Sequence, residues 1–310
     1  MRESQPAMSY QKMDMHVHSC FSSEPIPGVN GVAFSPRETP GELYARAKAR
    51  GMDFVTITDH DTIDGCLDFL ARHPEVDDFV IGEEVSTQLP ASGLTVHLNV
   101  YGHDPHQHAE LQRRKDDAFA VARYCREEGL FVCWNHPFYR ENFSTIEERE
   151  FMRMVAEVPV VEVRNGGRMQ LLNVLAEELA VREGKAMQGG SDTHTGDIGS
   201  VYTAVPCDSL AGFFAGILAR NSRIVGRHST MRGFLVANYL VGARHTVAAS
   251  CRRLPSPLGR ARVRALGVFA LLLSPWIVWR HFRGQLEMAR LALSSLPSFG
   301  HLPATLLDAP

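Results

Sequence analysis

Phe54-Val55-Thr56-Ile57-Thr58-Asp59-His60 is a short apolar, β-branched run that stops at a carboxylate and an imidazole. Its length and its β-branched content mark a buried strand rather than a helix. The same arrangement recurs along the chain. Phe79-Val80-Ile81-Gly82 leads to Glu84, Leu94-Thr95-Val96 to His97, and Leu130-Phe131-Val132-Cys133-Trp134-Asn135 to His136. Two further strings, His16-Val17-His18 and Gly190-Ser191-Asp192-Thr193-His194, each offer two ligating side chains two residues apart. Alternate side chains of a strand face the same way, so both members of each pair project together. A single His beside an apolar strand is usually a hydrogen-bonded structural residue; six strand ends in register point to one shared metal site.

Strand-like runs fall at 13–18, 53–58, 78–86, 94–102, 130–136, 159–164, 185–191 and 200–205. Helical patterns lie between most of them: one opening at Pro40, a long charged one over 107–128 that closes at Gly129, then 145–157, 169–183 closing at Gly184, and 209–220. The alternation predicts an α/β fold with a largely parallel sheet. Ligating residues at successive strand C-terminal ends predict closure into a barrel, since that end gathers side chains from many strands around one point. The expected organisation is an N-terminal extension over 1–12, the barrel domain over 13–227, and a tail over 228–310.

Six cysteines (Cys20, Cys66, Cys125, Cys133, Cys207, Cys251) are scattered without a CxxC pair, which argues for reduced thiols rather than a disulfide framework. The first dozen residues lack the apolar core of a secretory signal, so the expected location is cytoplasmic. The net charge of −3 hides an asymmetry: residues 226–310 hold eleven Arg against Glu287 and Asp308, a formal +9 that leaves −12 on residues 1–225. An acidic barrel suits a carboxylate-rich cation site.

The ordered set His16-x-His18, Thr58-Asp59-His60, Gly82-x-Glu84, His97, Asn135-His136-Pro137 and Gly190-Ser191-Asp192-x-His194 resembles the successive motifs of the PHP (polymerase and histidinol phosphatase) family over about residues 13 to 205. The resemblance implies a distorted (β/α)7 barrel, here followed by a C-terminal helical appendage, holding two or three divalent metal ions (Mn, Zn or Fe). It implies His16, His18, Glu84 and Asp192 around a first metal, Glu84 bridging to a second held by His97 and His136, and a third held by His60 and His194. Where many members place an Asp or His shortly after HxH, this chain has Ser23 and Glu24, and Glu24 is the expected ninth ligand.

Glu84 and Asp192 are the expected catalytic carboxylates, with Asp59 as an orienting or proton-handling neighbour. Arg140, Arg164 and Arg168 are candidates for clamping a substrate phosphate. Glu83 should face the opposite side of its strand, and His103, His106 and His108 read as a solvated turn because Asp104-Pro105 marks a loop. The implied activity is hydrolysis of phosphate esters, of a nucleotide or other small phosphorylated metabolite, by a metal-activated water. An amidohydrolase would place a lysine at a strand end, and Lys12, Lys48, Lys115 and Lys185 occupy no such position. A metal-stabilised binding or scaffold module is the non-enzymatic alternative.

In the tail, Ala265 to Trp279 is an apolar run of 15 residues interrupted by Pro275, short of the roughly 20 that span a bilayer. With Trp276 and Trp279 flanked by Arg262, Arg264, Arg280 and Arg283, it resembles a segment lying on an anionic membrane at its inner face. The competing expectations are packing against the barrel and contact with nucleic acid.

Overall fold

The β-branched runs form strands, and the intervening segments form helices whose ends are fixed by local capping. The computed structural model describes residues 9–25, 33–34, 36–139, 146–230 and 282–294, together with positions 232, 236, 239, 268, 272, 275, 276, 279, 280, 296 and 299. Strand β1 (Tyr10–Met13) is followed by a two-residue hairpin of β2 (Glu24–Pro25) and β3 (Ala33–Phe34). Helix α1 (Pro40–Ala49) starts at a capping box in which the Thr39 side chain accepts from the Glu42 amide and Glu42 reaches back, with Pro40 filling a position that needs no N–H. Next come β4 (Val55–Ile57), α2 (Asp64–Arg72), β5 (Phe79–Gln88) and β6 (Thr95–Tyr101). Helices α3 (Pro105–Arg114) and α4 (Ala118–Glu127) precede β7 (Phe131–Asn135), α5 (Glu148–Glu157), β8 (Val160–Asn165), α6 (Gln170–Arg182), β9 (Ala186–Gly190), β10 (Val201–Pro206), α7 (Leu210–Leu218) and β11 (Arg223–Gly226).

Six strands form a curled sheet in the order β4-β5-β6-β7-β8-β9, and a second sheet runs β1-β10-β11. The β4–β5, β7–β8 and β8–β9 ladders are parallel, but β6 is antiparallel to both neighbours. The expected largely parallel sheet is therefore mixed. The cause is the short turn between β5 and β6, closed by the Leu89 amide on the Leu94 carbonyl at 2.9 Å, which allows only an antiparallel return. Glu150 of α5 clamps that turn by accepting from the amides of Ala91 and Ser92. His97 consequently sits near the start of its strand, and the reversal of β6 still brings it to the end of the barrel where Glu84 lies.

The segment after β1 closes the ring by single bonds rather than a full ladder. The Val17 carbonyl accepts from Thr58 at 2.8 Å, the His16 carbonyl from Asp192 at 2.8 Å, and the His18 amide donates to Thr193 at 3.2 Å. The expected helix over 107–128 is two helices, because Asp117 accepts from the Phe119 amide and starts a new one. Asp104-Pro105 likewise begins α3, with Asp104 and Gln107 forming a capping box; the expected loop is a helix start. Helix α2 was not legible, since Ile63 at its N-cap offers no capping oxygen.

Part of the tail belongs to the core. Residues 282–294 are helical, and Met288, Ala289, Ala292, Leu296 and Phe299 are buried in one cluster with Trp134, Phe138 and Phe151. Among the described residues, Cys20, Cys66, Cys125, Cys133 and Cys207 are free thiols. No helix among the described residues is long and apolar enough to cross a membrane.

Candidate metal centre

Glu84 is the hub. It lies on β5 with 1 % exposure, where an ionised carboxylate needs charge partners. Its Oε2 lies 3.0 Å from His16 Nε2, 3.2 Å from His18 Nε2 and 3.4 Å from His60 Nδ1. Its Oε1 lies 3.1 Å from His97 Nδ1 and 3.2 Å from His136 Nε2. Asp192 Oδ1 completes the first set, 3.3 Å from His18 Nε2 and 3.6 Å from His16 Nε2, with His194 Nδ1 at 3.7 Å. The sequence thus brings eight of its expected ligands, from six segments of chain, into one buried nest.

The donor set fits divalent cations. Ligand atoms from His18, His60 and His194, from His16, His18 and Glu84, from His16, His136 and Asp192, and from His60, Glu84 and His97 form groups within 4.8 Å of one another. Donors sharing a cation at about 2.1 Å stand about 3.0 to 3.4 Å apart in octahedral or tetrahedral arrangements, the spacing found around Glu84. His18 Nε2 is buried and makes no hydrogen bond, consistent with a lone pair meant for a cation.

The electrostatics show what an entering cation would replace. Burial works against charge on His16 and His18, yet the carboxylates outweigh it, holding His16 well above the usual imidazole range and His18 up at about 9. Those protons are displaced when a cation binds. For His136 burial and the Arg168 guanidinium act together and push it down to about 4, leaving a neutral ring with a free lone pair at neutral pH. Burial also opposes ionisation of Glu84 and Asp192, but His16 and the groups around each hold both well below the usual carboxylate range.

Backbone strain is concentrated here. His136 (φ 27°) and Asp192 (φ 51°) both adopt left-handed conformations, which cost non-glycine residues about 1–3 kcal/mol each and persist only where the surroundings over-determine them. The surroundings do so: the His136 amide donates to Glu162 Oε2 at 3.0 Å, and the Asp192 amide to the His16 carbonyl. Gly190 supplies close approach, because a Cβ there would stand 2.5 Å from the His16 nitrogen.

Other expected site residues fall elsewhere. Both Asp59 oxygens are taken by Ser19, from its amide and its hydroxyl at 2.6 Å each, so Asp59 pins the turn after His18 and stands outside the ligand groups. The Arg164 guanidinium turns away to the Ile224 carbonyl at 3.4 Å. Arg168 stays at the site, 3.0 Å from Asp192 Oδ2 and stacked 3.7 Å over Tyr139. The Glu24 side chain and Arg140 lie outside the described residues. Of the expected solvated turn, His106 is exposed, whereas His103 is buried and the half-buried His108 also faces the buried Glu83.

Glu162 and Asn165 escaped the sequence reading, and Asn135 entered it only as part of the Asn135-His136-Pro137 motif. Glu162 accepts from His16 Nδ1 at 2.9 Å and from Asn165 Nδ2 at 2.9 Å, while Asn135 Nδ2 donates to Glu84 Oε1 at 2.9 Å. The signal for Glu162 was present, an acidic residue inside the apolar strand Val160-Val161-Glu162-Val163. A narrow cleft opens beside His97 and His136, with Trp134, Asn135 and Tyr139 in its wall.

Comparison with known proteins agrees with this geometry. The family model described as PHP-associated matches residues 170–222, the region that carries Asp192 and His194. Among solved structures, PsfC from Pseudomonas syringae PB-5123 is 16 % identical with a TM-score of 0.53, over 76 % of this chain and 100 % of that one, which shows a shared fold. Two more distant likenesses are a “putative metal-dependent phosphoesterase” from Bifidobacterium adolescentis ATCC 15703 (16 % identity, TM-score 0.48, 67 % of this chain and 96 % of that one) and an amidohydrolase from Chromobacterium violaceum with bound sulfate and no metal (19 %, 0.46, 69 % and 97 %). Comparison with the curated proteins gives no sequence match. The order of its motifs and the convergence of its imidazole and carboxylate donors at one end of the sheet make the chain similar to the PHP family, and residues 170–222, which carry Asp192 and His194, match the model described as PHP-associated.

Proposed function

We propose that this chain hydrolyses phosphate esters in a metal-dependent reaction, with a nucleotide or other small phosphorylated metabolite as substrate. The observation that carries the proposal is Glu84, whose two oxygens each face a different set of imidazoles. One carboxylate shared in this way suits two cations side by side, and His18, His60 and His194 offer donors for a third. Cations held there supply Lewis acidity toward phosphoryl oxygens and acidify water to near neutral pH. The protein's own groups fix the arrangement: Glu162 sets the orientation of the His16 ring, and Asn135 and Asn165 hold Glu84 and Asp192. Arg168 adds a fixed positive charge beside Asp192 that favours a phosphate dianion.

The test is phosphate release by manganese- and zinc-loaded protein across phosphomonoesters, phosphodiesters, nucleoside bisphosphates and short RNA. At least one class should be turned over, and Glu84→Gln should lose at least ~10³-fold in kcat with unchanged circular dichroism. A folded variant with wild-type turnover overturns the assignment. A metal-loaded wild type that is inactive on the whole panel favours the binding-module alternative.

We further propose that the protein is cytoplasmic and that its basic tail docks on an anionic lipid surface. Val268, Leu272, Trp276 and Trp279 follow one another at helical spacing and are 52 %, 74 %, 52 % and 53 % exposed. Arg280 lies 5.4 Å over the Trp276 ring and Arg283 5.3 Å over Trp279, pairing cations with the aromatic groups that settle at lipid headgroups. Full-length protein should pellet with phosphatidylserine vesicles at low salt and not with phosphatidylcholine vesicles. Trp276→Ser with Trp279→Ser should abolish pelleting; no pelleting of the wild type removes the proposal.

A further inference from the structure

Glu83 and Glu84 are neighbours on one strand, so their side chains leave opposite faces. Glu84 enters the metal centre, while Glu83 enters the layer between the sheet and helices α3 and α4, where it has 0 % exposure. Two imidazoles meet it there. Gly102, with φ +77°, turns the chain at the end of β6 and delivers His103, whose side chain is fully buried. The capping box of Asp104 and Gln107 then starts α3 and sets His108 on the helix face that also carries Gln112 one turn later.

His108 Nδ1 lies 2.7 Å from Glu83 Oε2, and His103 Nε2 lies 3.3 Å from Glu83 Oε1. Ligand atoms from the three residues fall within 4.8 Å of one another. Neither nitrogen of His103 makes a hydrogen bond, nor does Glu83 Oε1, although all three atoms are buried. An ordinary ion pair aims an N–H at its carboxylate. Here the His103 nitrogen and the carboxylate oxygen are close but misaligned, as two donors turned toward a common third body are. A buried imidazole lone pair and a carboxylate oxygen are satisfied together by a cation.

We propose that Glu83, His103 and His108 form a second divalent-cation site, separate from the centre around Glu84. Two imidazoles and one carboxylate suit zinc or a cation of similar softness, and the nitrogen donors disfavour calcium and magnesium. The Gln112 amide, with its nitrogen 3.3 Å from Glu83 Oε2, completes the shell when rotated to present its oxygen. The site shares no residue with the Glu84 centre. Its role is to staple the turn after β6 and helix α3 to β5, the strand that carries Glu84, and so to hold Glu84 in register from behind.

The deciding experiment is anomalous diffraction at the zinc absorption edge from crystals of full-length protein equilibrated with zinc. A peak bounded by Glu83, His103 and His108 is expected, distinct from those around Glu84. No anomalous density there, in crystals that show it around Glu84, overturns the proposal. In solution, His108→Gln should lower zinc content by one equivalent and leave that of the Glu84 centre intact. Unchanged zinc content in the folded variant also overturns it. Because both readouts are metal occupancy at a defined place, they are independent of whether the protein hydrolyses any ester.

Discussion

Several candidate ligands are aimed by partners outside the set, and Glu162 shows how much rests on such a residue. It binds the far nitrogen of the His16 ring, the amide of the strained His136 and the Asn165 side chain, with no exposure to solvent. A carboxylate on the distal nitrogen fixes the tautomer and raises the basicity of the nitrogen that faces the cation, and losing it typically weakens metal binding 10- to 100-fold. Glu162→Gln keeps the shape and removes the charge. Its zinc affinity, measured by chelator competition, should fall by about 10- to 100-fold while the fold is retained; unchanged affinity contradicts a positioning role. Asp59 presents the contrasting case. Expected as an orienting or proton-handling neighbour rather than a ligand, it accepts from Ser19 through both oxygens and holds the turn after His18.

At the level of strands, close backbone approach decides whether the pairs His16/His18 and Asp192/His194 meet. Strand β9 ends at Gly190, where an added Cβ would stand 2.4 Å from the His16 Cβ and 2.5 Å from its nitrogen, with backbone unable to give way as a flexible side chain can. Gly190→Ala must push the segment carrying His16 away from the one carrying Asp192. The expected cost is about 1–3 kcal/mol in denaturant unfolding, typical of forced overpacking, together with reduced metal loading. A variant as stable and as metal-replete as wild type shows that the ring closes with slack. The β5–β6 turn is the other decisive connection, since Glu150 locks it and its shortness reverses β6.

Across the whole molecule, the tail divides in two. The helix at 282–294 and Phe299 complete the barrel's outer core, with Phe299 against Phe138 at a ring separation of 5.5 Å, whereas the stripe ending at Trp279 faces solvent. Phe299→Ala should therefore cost about 3–5 kcal/mol in chemical denaturation, as for a buried aromatic, although the residue lies far in sequence from the barrel strands. A change below about 0.5 kcal/mol, the range of surface substitutions, contradicts its place in the core. The same contact explains why the barrel and the end of the tail are one packed body despite charges of opposite sign, −12 on residues 1–225 and +9 beyond them. Among the described residues, Arg227, Arg232, Arg280, Arg283 and Arg290 are exposed, while apolar faces make the join.

The sequence by itself determined most of the strands and singled out the candidate ligands, because both are written locally. A β-branched run ending in His or a carboxylate reports its burial and its chemistry within a few residues, whereas His16-x-His18 and Asp192-x-His194 lie just beyond strand ends, where a single Val17–Thr193 bridge and the left-handed Asp192 bring their side chains together. Helix starts were partly written too: Thr39-Pro40 was legible, whereas Asp104-Pro105 carried the same signal and was misread as a loop. What only the tertiary structure decided depends on contacts between distant segments. The antiparallel turn of β6, the place of Glu162 behind the His16 ring, and the burial of Phe299 all follow from which surfaces meet. So does the turning of His103 and His108, out of an apparently solvated turn, toward the buried Glu83. Local propensity specifies a side chain's position along its strand or helix, but a partner two strands or a hundred residues away is selected by packing and charge compensation, which no short window of sequence contains.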